Sequence, residues 1–398
     1  MDLTLHPRSL RGEINIIPSK SQAHRALICA AFADKPTRIL CRETSRDMEA
    51  TADCLRSFGA EIIRSETGYT VIPVQKIPAQ VNLNCCESGS TLRFLLPVAG
   101  ALGVEATFHM EGRLPQRPLS PLWEEMERMG CQLSRPTGNT ILCRGKLTAG
   151  EYTIAGNVSS QYITGLLFAL SLLEKESKLT ITGKAESLPY IELTRQTIRQ
   201  FGADPDHPGK IRFQSPGEFT VEGDWSNGAF FLAASALTPE SELTVHGLNP
   251  DSVQGDRICA HWIPALCQQH CVIDASDIPD LVPILSVVAA AKHGAVFTHI
   301  QRLRIKESDR VESTIAMIQN LGGNAFASED SLTVMATGFT GGTADAMNDH
   351  RIAMSAAIAS TVCTQDMILL CAQCVEKSYP NFWEEFSRLG GNYEQYLW

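Results

Sequence analysis

Pro18-Ser19-Lys20-Ser21-Gln22-Ala23-His24-Arg25-Ala26-Leu27-Ile28-Cys29-Ala30-Ala31-Phe32-Ala33 decides how this chain is read. Pro and Ser suit the start of a helix. Lys20, Ser21 and Arg25 fall in its first turns, and Ser21 and Arg25, four apart, share a face. Behind them runs an Ala-rich apolar stretch that must be buried. Free backbone N–H groups and the helix dipole favour negative charge at such a mouth, and Lys, Ser and Arg add donors, so the stretch reads as an anion site.

The pattern recurs. Ser88-Gly89-Ser90-Thr91-Leu92-Arg93 opens an apolar run to Leu102, Ser159-Ser160-Gln161 one to Leu173, and Ser226-Asn227-Gly228 one to Leu237. Asp277-Ile278-Pro279-Asp280 opens a run to Ala291, and Asn348-Asp349-His350-Arg351 one to Ser360. These six mouths, near residues 19, 88, 159, 226, 277 and 348, are spaced by 69, 71, 67, 51 and 71 residues. A second marker, an apolar residue then Gly at the end of a surface helix, falls at Gly59, Gly130, Gly202, Gly322 and Gly390. The fourth and shortest unit lacks it. Surface helices are expected over 47–58, 119–129, 191–201, 309–321 and 382–389. Strands are expected over 69–74, 106–110, 179–182, 219–221, 243–245, 296–300 and 367–370. Six copies of one α/β unit suggest two domains of three units, with a break at Glu222-Gly223-Asp224.

The 398 residues are enough for two domains, and 44% hydrophobic with 20% charged residues suits full cores. A net charge of -10 argues against nucleic acid as partner, though not against a local basic cleft. Met1 to Ile17 has no apolar core of a signal peptide, and the apolar run ending before Lys292 is too short to span a bilayer. Thirteen cysteines without a secretion signal read as reduced thiols, so a cytoplasmic location with no membrane is expected. Cys267-x-x-His270-Cys271 and Cys371-x-x-Cys374 are too far apart to be read as a metal site.

Motifs for nucleotide hydrolysis, hydride transfer and zinc proteolysis are missing. Basic loops are present instead: Gln116-Arg117-Pro118, Arg302 to Arg310, Asn348 to Arg351 and Val375 to Pro380. Arg grips phosphate and carboxylate bidentately, and Lys is a point charge that also moves protons. Together they point to a multiply anionic ligand, with Asp280 and Glu307 as acid/base groups among the cations.

In these marks the chain resembles the enolpyruvyl transferases over essentially its whole length. The marks are Ser19-Lys20-Ser21 with Arg25, Ser88-Gly89-Ser90-Thr91-x-Arg93, Gln116-Arg117-Pro118, Val158-Ser159-Ser160-Gln161 and Ser187-x-Pro189-Tyr190. Four more follow in the family order: Ile278-Pro279-Asp280, Lys306-Glu307-Ser308-Asp309-Arg310, Asn348-Asp349-His350-Arg351 and Lys377-x-Tyr379-Pro380. The resemblance implies an α/β (α+β) fold of two domains, each of three repeated units, with helix N-termini facing the interdomain cleft. It implies one discontinuous domain, 1–18 with 224–398, and an inserted domain, 19–223, with hinges near 18–19 and 223–224.

The resemblance also implies that enolpyruvyl passes from phosphoenolpyruvate to shikimate 3-phosphate by addition and elimination. Lys20, Gly89, Arg117, Gln161, Arg310, Arg351 and Lys377 would hold phosphoenolpyruvate. Ser21, Arg25, Ser159, Ser160, Gln161, Ser187, Asp280, Arg302 and Lys306 would hold shikimate 3-phosphate. Lys20, Asp280 and Glu307 would move protons. No cofactor and no metal is implied, the state is a monomer, and glyphosate, the family's inhibitor, would occupy the phosphoenolpyruvate site. Three residues depart from the family pattern: Glu87 and Arg302, where Asn is usual, and Pro18, where Gly is usual. Two alternatives are a UDP-N-acetylglucosamine enolpyruvyl transferase and a non-catalytic phospho-ligand binding protein. The first usually carries a Cys in the loop that is here Gly112 to Pro118, which has none. The intact set Lys20, Asp280, Glu307 and Lys377 speaks against the second.

Overall fold

A computed structural model describes residues 1–238 and 242–396. The chain begins with β1 (Leu3–His6) and β2 (Gly12–Asn15). Three similar stretches follow. The first is α1 (Lys20–Ala31), β3 (Thr37–Leu40), α2 (Arg46–Ser57), β4 (Glu61–Ser65) and β5 (Gly68–Ile72). The second is β6 (Gln80–Asn84), α3 (Gly89–Leu102), β7 (Glu105–His109), α4 (Leu122–Arg128), β8 (Cys131–Ser134) and β9 (Thr140–Gly145). The third is β10 (Glu151–Ala155), α5 (Ser160–Ser171), β11 (Lys178–Thr182), α6 (Leu188–Gln200) and β12 (Glu218–Thr220).

The pattern then repeats: α7 (Trp225–Leu237), β13 (Leu243–His246), α8 (Cys259–Leu266); β14 (Cys271–Asp274), α9 (Val282–Ala291), β15 (Ala295–Thr298), α10 (Arg310–Asn320), β16 (Asn324–Ala327), β17 (Ser331–Met335). The last stretch is β18 (Gly342–Asp345), α11 (His350–Ser360), β19 (Met367–Leu370), α12 (Phe382–Arg388) and β20 (Asn392–Gln395).

The chain divides into two compact units, Met1–Ile17 with Gly223–Trp398, and Pro18–Glu222. Each boundary lies one residue before the place expected from sequence. The reason is hydrogen bonding at the crossings. Ile17 O accepts from Asp224 N at 2.9 Å within the first unit, and Glu222 O accepts from Ser19 N at 2.7 Å within the second. Pro18 and Gly223 therefore each fall to the unit that follows them in the chain. Residues 239–241 and 397–398 of the expected discontinuous domain lie outside the described residues.

Each unit holds two four-stranded sheets and one two-stranded sheet. In four of the six repeats the strands flanking a buried helix pair in parallel, as β6 with β7 across α3. In the other two the strands are exchanged: β12, which precedes α7, pairs with β3, and β2, which precedes α1, pairs with β13. That exchange makes the first unit discontinuous in sequence.

The helices α1, α3, α5, α7, α9 and α11 are buried nearly all round, which their Ala- and Leu-rich sequences require. Each unit has its own apolar core built on three of them. Five are capped by a side chain at the mouth: Ser19, Ser88, Ser159, Asp224 and Asp349. The fifth in chain order, α9, has none and starts instead with Pro in its first turn. The glycines expected to end surface helices, Gly59, Gly130, Gly202, Gly322 and Gly390, all take positive φ.

The surface helix of the fourth repeat, the one without a Gly marker, is α8, which leads to β14 through Cys267 in the right-handed region. One expectation needs correction. The helix expected from Leu119 starts at Leu122, because Pro121 takes the cap position. Among the described residues no helix is long and apolar enough to cross a membrane.

Candidate active site

In the second unit the mouths of α1, α3 and α5 gather the expected residues. Lys20 Nζ meets Asp47 Oδ2, at the start of α2, at 2.9 Å, and both are largely buried. Gly89 opens α3 and is crowded by two guanidiniums. A Cβ built on it would lie 2.6 Å from Arg93 Nη1 and 2.7 Å from Arg117 Nη1. Arg93 donates to Gln161 Oε1 at 3.0 Å and to Pro118 O at 3.1 Å, and Gln161 Nε2 donates to Ser90 Oγ at 3.0 Å. Gly89, Arg117 and Gln161 thus come together, and Arg93 and Ser90 join them. Ser159 caps α5 beside buried Ser160.

Glu87 packs against Gly112. Its carboxylate covers Gly112, where a Cβ would collide with it, and φ of 55° there also calls for Gly.

Arg25 is fully enclosed. It donates through Nε to Thr194 Oγ1 at 2.8 Å and through Nη2 to Tyr190 O at 3.0 Å, tying α1 to α6. Burial brings its guanidinium down to about 10. Buried Ser187, with φ of 55°, sits at the start of the same helix without a side-chain cap bond to it. Ser21 is half-buried on the turn whose carbonyl takes Arg25 Nη1.

In the first unit a cluster forms around Asp280, just ahead of α9. Asp280 Oδ1 accepts from Arg310 Nη1 at 2.6 Å and Lys306 Nζ at 3.5 Å, and Oδ2 from Arg351 Nη2 at 3.4 Å. Burial would raise its carboxyl, but Lys306, Arg310 and Arg351 outweigh that and hold it well below the usual carboxylate range. Lys306 is pushed by burial down to about 8, against the pull of Asp280.

Arg310 is 1% exposed and bridges three carboxylates. Nη2 reaches Glu307 at 2.6 Å, Nε reaches Asp349 at 2.8 Å, and Nη1 holds Asp280. Asp349 is itself fully buried and also accepts from Ser308 Oγ and from the Arg351 backbone N–H. Arg351 keeps Nε and Nη1 buried with no hydrogen-bond partner among the described residues. That is unused capacity for an anion. Lys377 Nζ donates to Asn348 O at 2.7 Å. Arg302 lies on the turn Gln301–Ile305, and its charge helps depress Lys306.

Sequence reasoning missed Asp47, Arg93 and Asp349 as site residues. Arg93 and Asp349 lay in quoted motifs, next to the residues that were chosen. Asp47 had only its place in the first turn of a surface helix as a signal.

The family model for EPSP synthase (3-phosphoshikimate 1-carboxyvinyltransferase) matches residues 5–266 and 268–386. The 3-phosphoshikimate 1-carboxyvinyltransferase of Clostridium kluyveri is 37% identical over 99% of this chain and 98% of its own. That of Clostridium perfringens strain 13 is 38% identical over 97% of each. The fold matches EPSP synthase from Acinetobacter baumannii with a TM-score of 0.79 at 21% identity over 99% of each chain. It also matches the enolpyruvyl transferase NikO from Streptomyces tendae, with a TM-score of 0.76 at 15% identity over 99% of this chain and 98% of that one. The chain therefore belongs to the EPSP synthase family, the 3-phosphoshikimate 1-carboxyvinyltransferases, enzymes of enolpyruvyl transfer in the shikimate pathway.

Proposed function

We propose that the chain transfers enolpyruvyl from phosphoenolpyruvate to the 5-hydroxyl of shikimate 3-phosphate, with the following division of labour. Lys20, Gly89, Arg117, Gln161, Arg310, Arg351 and Lys377 hold phosphoenolpyruvate. Ser21, Arg25, Ser159, Ser160, Gln161, Ser187, Asp280, Arg302 and Lys306 hold shikimate 3-phosphate. The protein acts as a monomer in the cytoplasm.

In the addition step, the 5-oxygen bonds to C2 of phosphoenolpyruvate, the hydroxyl proton leaves to a base, and C3 gains a proton to become a methyl group. In the elimination step, the C2–O bond to phosphate breaks, the methyl group loses a proton, and the double bond returns. Asp280, Glu307 and Lys20 are the proton carriers of this reading. The cations around them stabilise charge that develops on the carboxylate and the leaving phosphate. The observation that carries the reading is the Asp280 cluster, a carboxylate held among Lys306, Arg310 and Arg351, with Glu307 on the same Arg310.

A coupled phosphate-release assay tests it. Release is expected only when both substrates are present, and UDP-N-acetylglucosamine does not replace shikimate 3-phosphate. Steady release with the nucleotide sugar, or none with the proper pair, overturns the reading.

A further inference from the structure

We propose that His24, Thr51 and Thr91 form a buried positioning relay that fixes the Gly89 mouth relative to Lys20 and thereby sets affinity for the enolpyruvyl donor. This rests on the reading that Gly89 and Lys20 bind phosphoenolpyruvate.

The relay spans three helices of the second unit. His24 Nδ1 on α1 lies 2.7 Å from Thr51 Oγ1 on α2, which lies 2.6 Å from Thr91 Oγ1 on α3. Thr91 Oγ1 donates to Ser88 Oγ at 2.7 Å, and Ser88 Oγ also accepts the Thr91 backbone N–H at 3.2 Å as the α3 cap. His24, Thr51, Thr91 and Ser88 are each 0% exposed.

The direction of the bonds follows from counting donors. Thr91 gives its hydroxyl proton to Ser88 at 2.7 Å, with Asp47 O a more distant acceptor at 3.4 Å, so toward Thr51 it accepts. Thr51 therefore accepts from His24, which must carry its proton on Nδ1. The bare Nε2 of His24 is then a lone pair without a partner, as observed. A bare lone pair is easier to bury than an N–H. Burial, with Lys20 and Arg25 nearby, keeps the ring neutral.

Both ends of the relay abut site residues. His24 is one turn along α1 from Lys20, and Thr51 is one turn along α2 from Asp47. Lys20–Asp47 and His24–Thr51 are thus successive rungs between the same two helices. Ser88 directly precedes Gly89. An apolar contact could fill this space in several ways, whereas a chain of paired hydroxyls running from His24 Nδ1 to Ser88 fixes one geometry.

The test compares Thr51→Val and Thr91→Val, close in shape, with Thr51→Ser and Thr91→Ser, which keep the hydroxyl. For the Val variants KM for phosphoenolpyruvate should rise about tenfold, the loss of one buried hydrogen bond. KM for shikimate 3-phosphate should stay put, and the Ser variants should restore the donor KM. The double Val variant should be little worse than one Val, since the relay acts as a unit.

If wild type releases phosphate and both Val variants keep its donor KM while melting earlier, the groups are structural only and the relay is overturned. No release by wild type sinks the functional reading and the relay with it. A second measurement needs no folded Val variant. In 15N-histidine spectra of the wild type, the His24 signal, assigned by its loss in His24→Asn, should show a neutral ring protonated on Nδ1. A proton on Nε2 refutes the relay.

Discussion

Gly89→Ala is the sharpest test of where the donor binds. The added Cβ would lie 2.6 Å from Arg93 Nη1, 2.7 Å from Arg117 Nη1 and 3.1 Å from Arg117 Cζ. Unstrained contacts of this kind lie near ~3.5 Å, so both guanidinium ends must withdraw by roughly 1 Å. The backbone itself does not object, because Gly89 is not among the glycines with positive φ. The cost therefore falls on what the two arginines hold. Arg93 Nη1 donates to Gln161 Oε1 at 3.0 Å, and a withdrawal of that size breaks this bond.

Losing one hydrogen bond to a charged group costs about 1.5–3 kcal/mol, or about 10- to 150-fold in KM for phosphoenolpyruvate. Stability should fall by no more than about 3 kcal/mol, because the broken bond lies within the folded protein while the apolar core stays in place. Glyphosate, expected at the same site, should lose affinity as well, because the added methyl group narrows the mouth that both molecules would enter. The assay is initial velocity with phosphoenolpyruvate varied against glyphosate, for wild type and variant, with a thermal melt beside it. An unchanged inhibition constant and an unchanged KM in a normally folded variant would refute the placement of Gly89 in the donor site.

Asp280→Asn keeps the volume and removes the charge that Lys306, Arg310 and Arg351 face, so kcat should fall by about 100-fold or more with an unaltered circular dichroism spectrum. In wild type the acidic limb of kcat should lie at higher pH than that of kcat/KM, because bound anions draw cations away from Asp280; coincident limbs would count against this. Asp349→Ala leaves buried Arg310 without one of its partners and removes the α11 cap, and denaturant unfolding should read a loss of about 3–5 kcal/mol. Lys306 gives up its proton near about 8 in the folded protein and near 10.5 when unfolded. Over that window the unfolded chain binds more protons, so wild type should gain stability relative to Lys306→Met by about 1.4 kcal/mol per pH unit. KM for shikimate 3-phosphate should climb once pH passes about 8, by at most about tenfold per unit.

The six buried helices were legible because an unbroken apolar run behind a polar mouth is too long for a strand and must be enclosed on every side. The terminal glycines were legible because a left-handed residue is a common helix stop and Gly takes that conformation without a Cβ clash. Surface helix α8 was not, because it ends without Gly and its buried residues, Cys259, Ile263 and Leu266, make only a narrow stripe. Partners across the fold were the other gap. Asp47 lies 27 residues from Lys20, and Asp349 lies 39 from Arg310. Such distances carry no local period. The exchange of β2 and β12 is likewise a matter of pairing, to which a strand's own residues give no clue.

Helix mouths serve two purposes in this chain, and the division between them follows from charge. Ser19, Ser88 and Ser159 cap neutrally, so the mouths of α1, α3 and α5 keep their positive character for a ligand. Asp224 and Asp349 cap with a full negative charge, which would repel an anion at α7 and α11. Both acids act on a buried arginine: Asp349 is paired with Arg310, and Asp224 supports the charge on Arg351. The first unit therefore concentrates its attraction in the Arg351 guanidinium and in Lys306 and Lys377 rather than in bare helix ends. A carboxylate such as Asp280 can stay ionised there beside an incoming anion, because Arg310, saturated by acids, keeps the cluster's charge near balance while Arg351 retains free donors. Neutral caps leave a helix mouth open to an anion, and charged caps beside buried arginines hold carboxylates such as Asp280 still. The division between the two units follows that requirement.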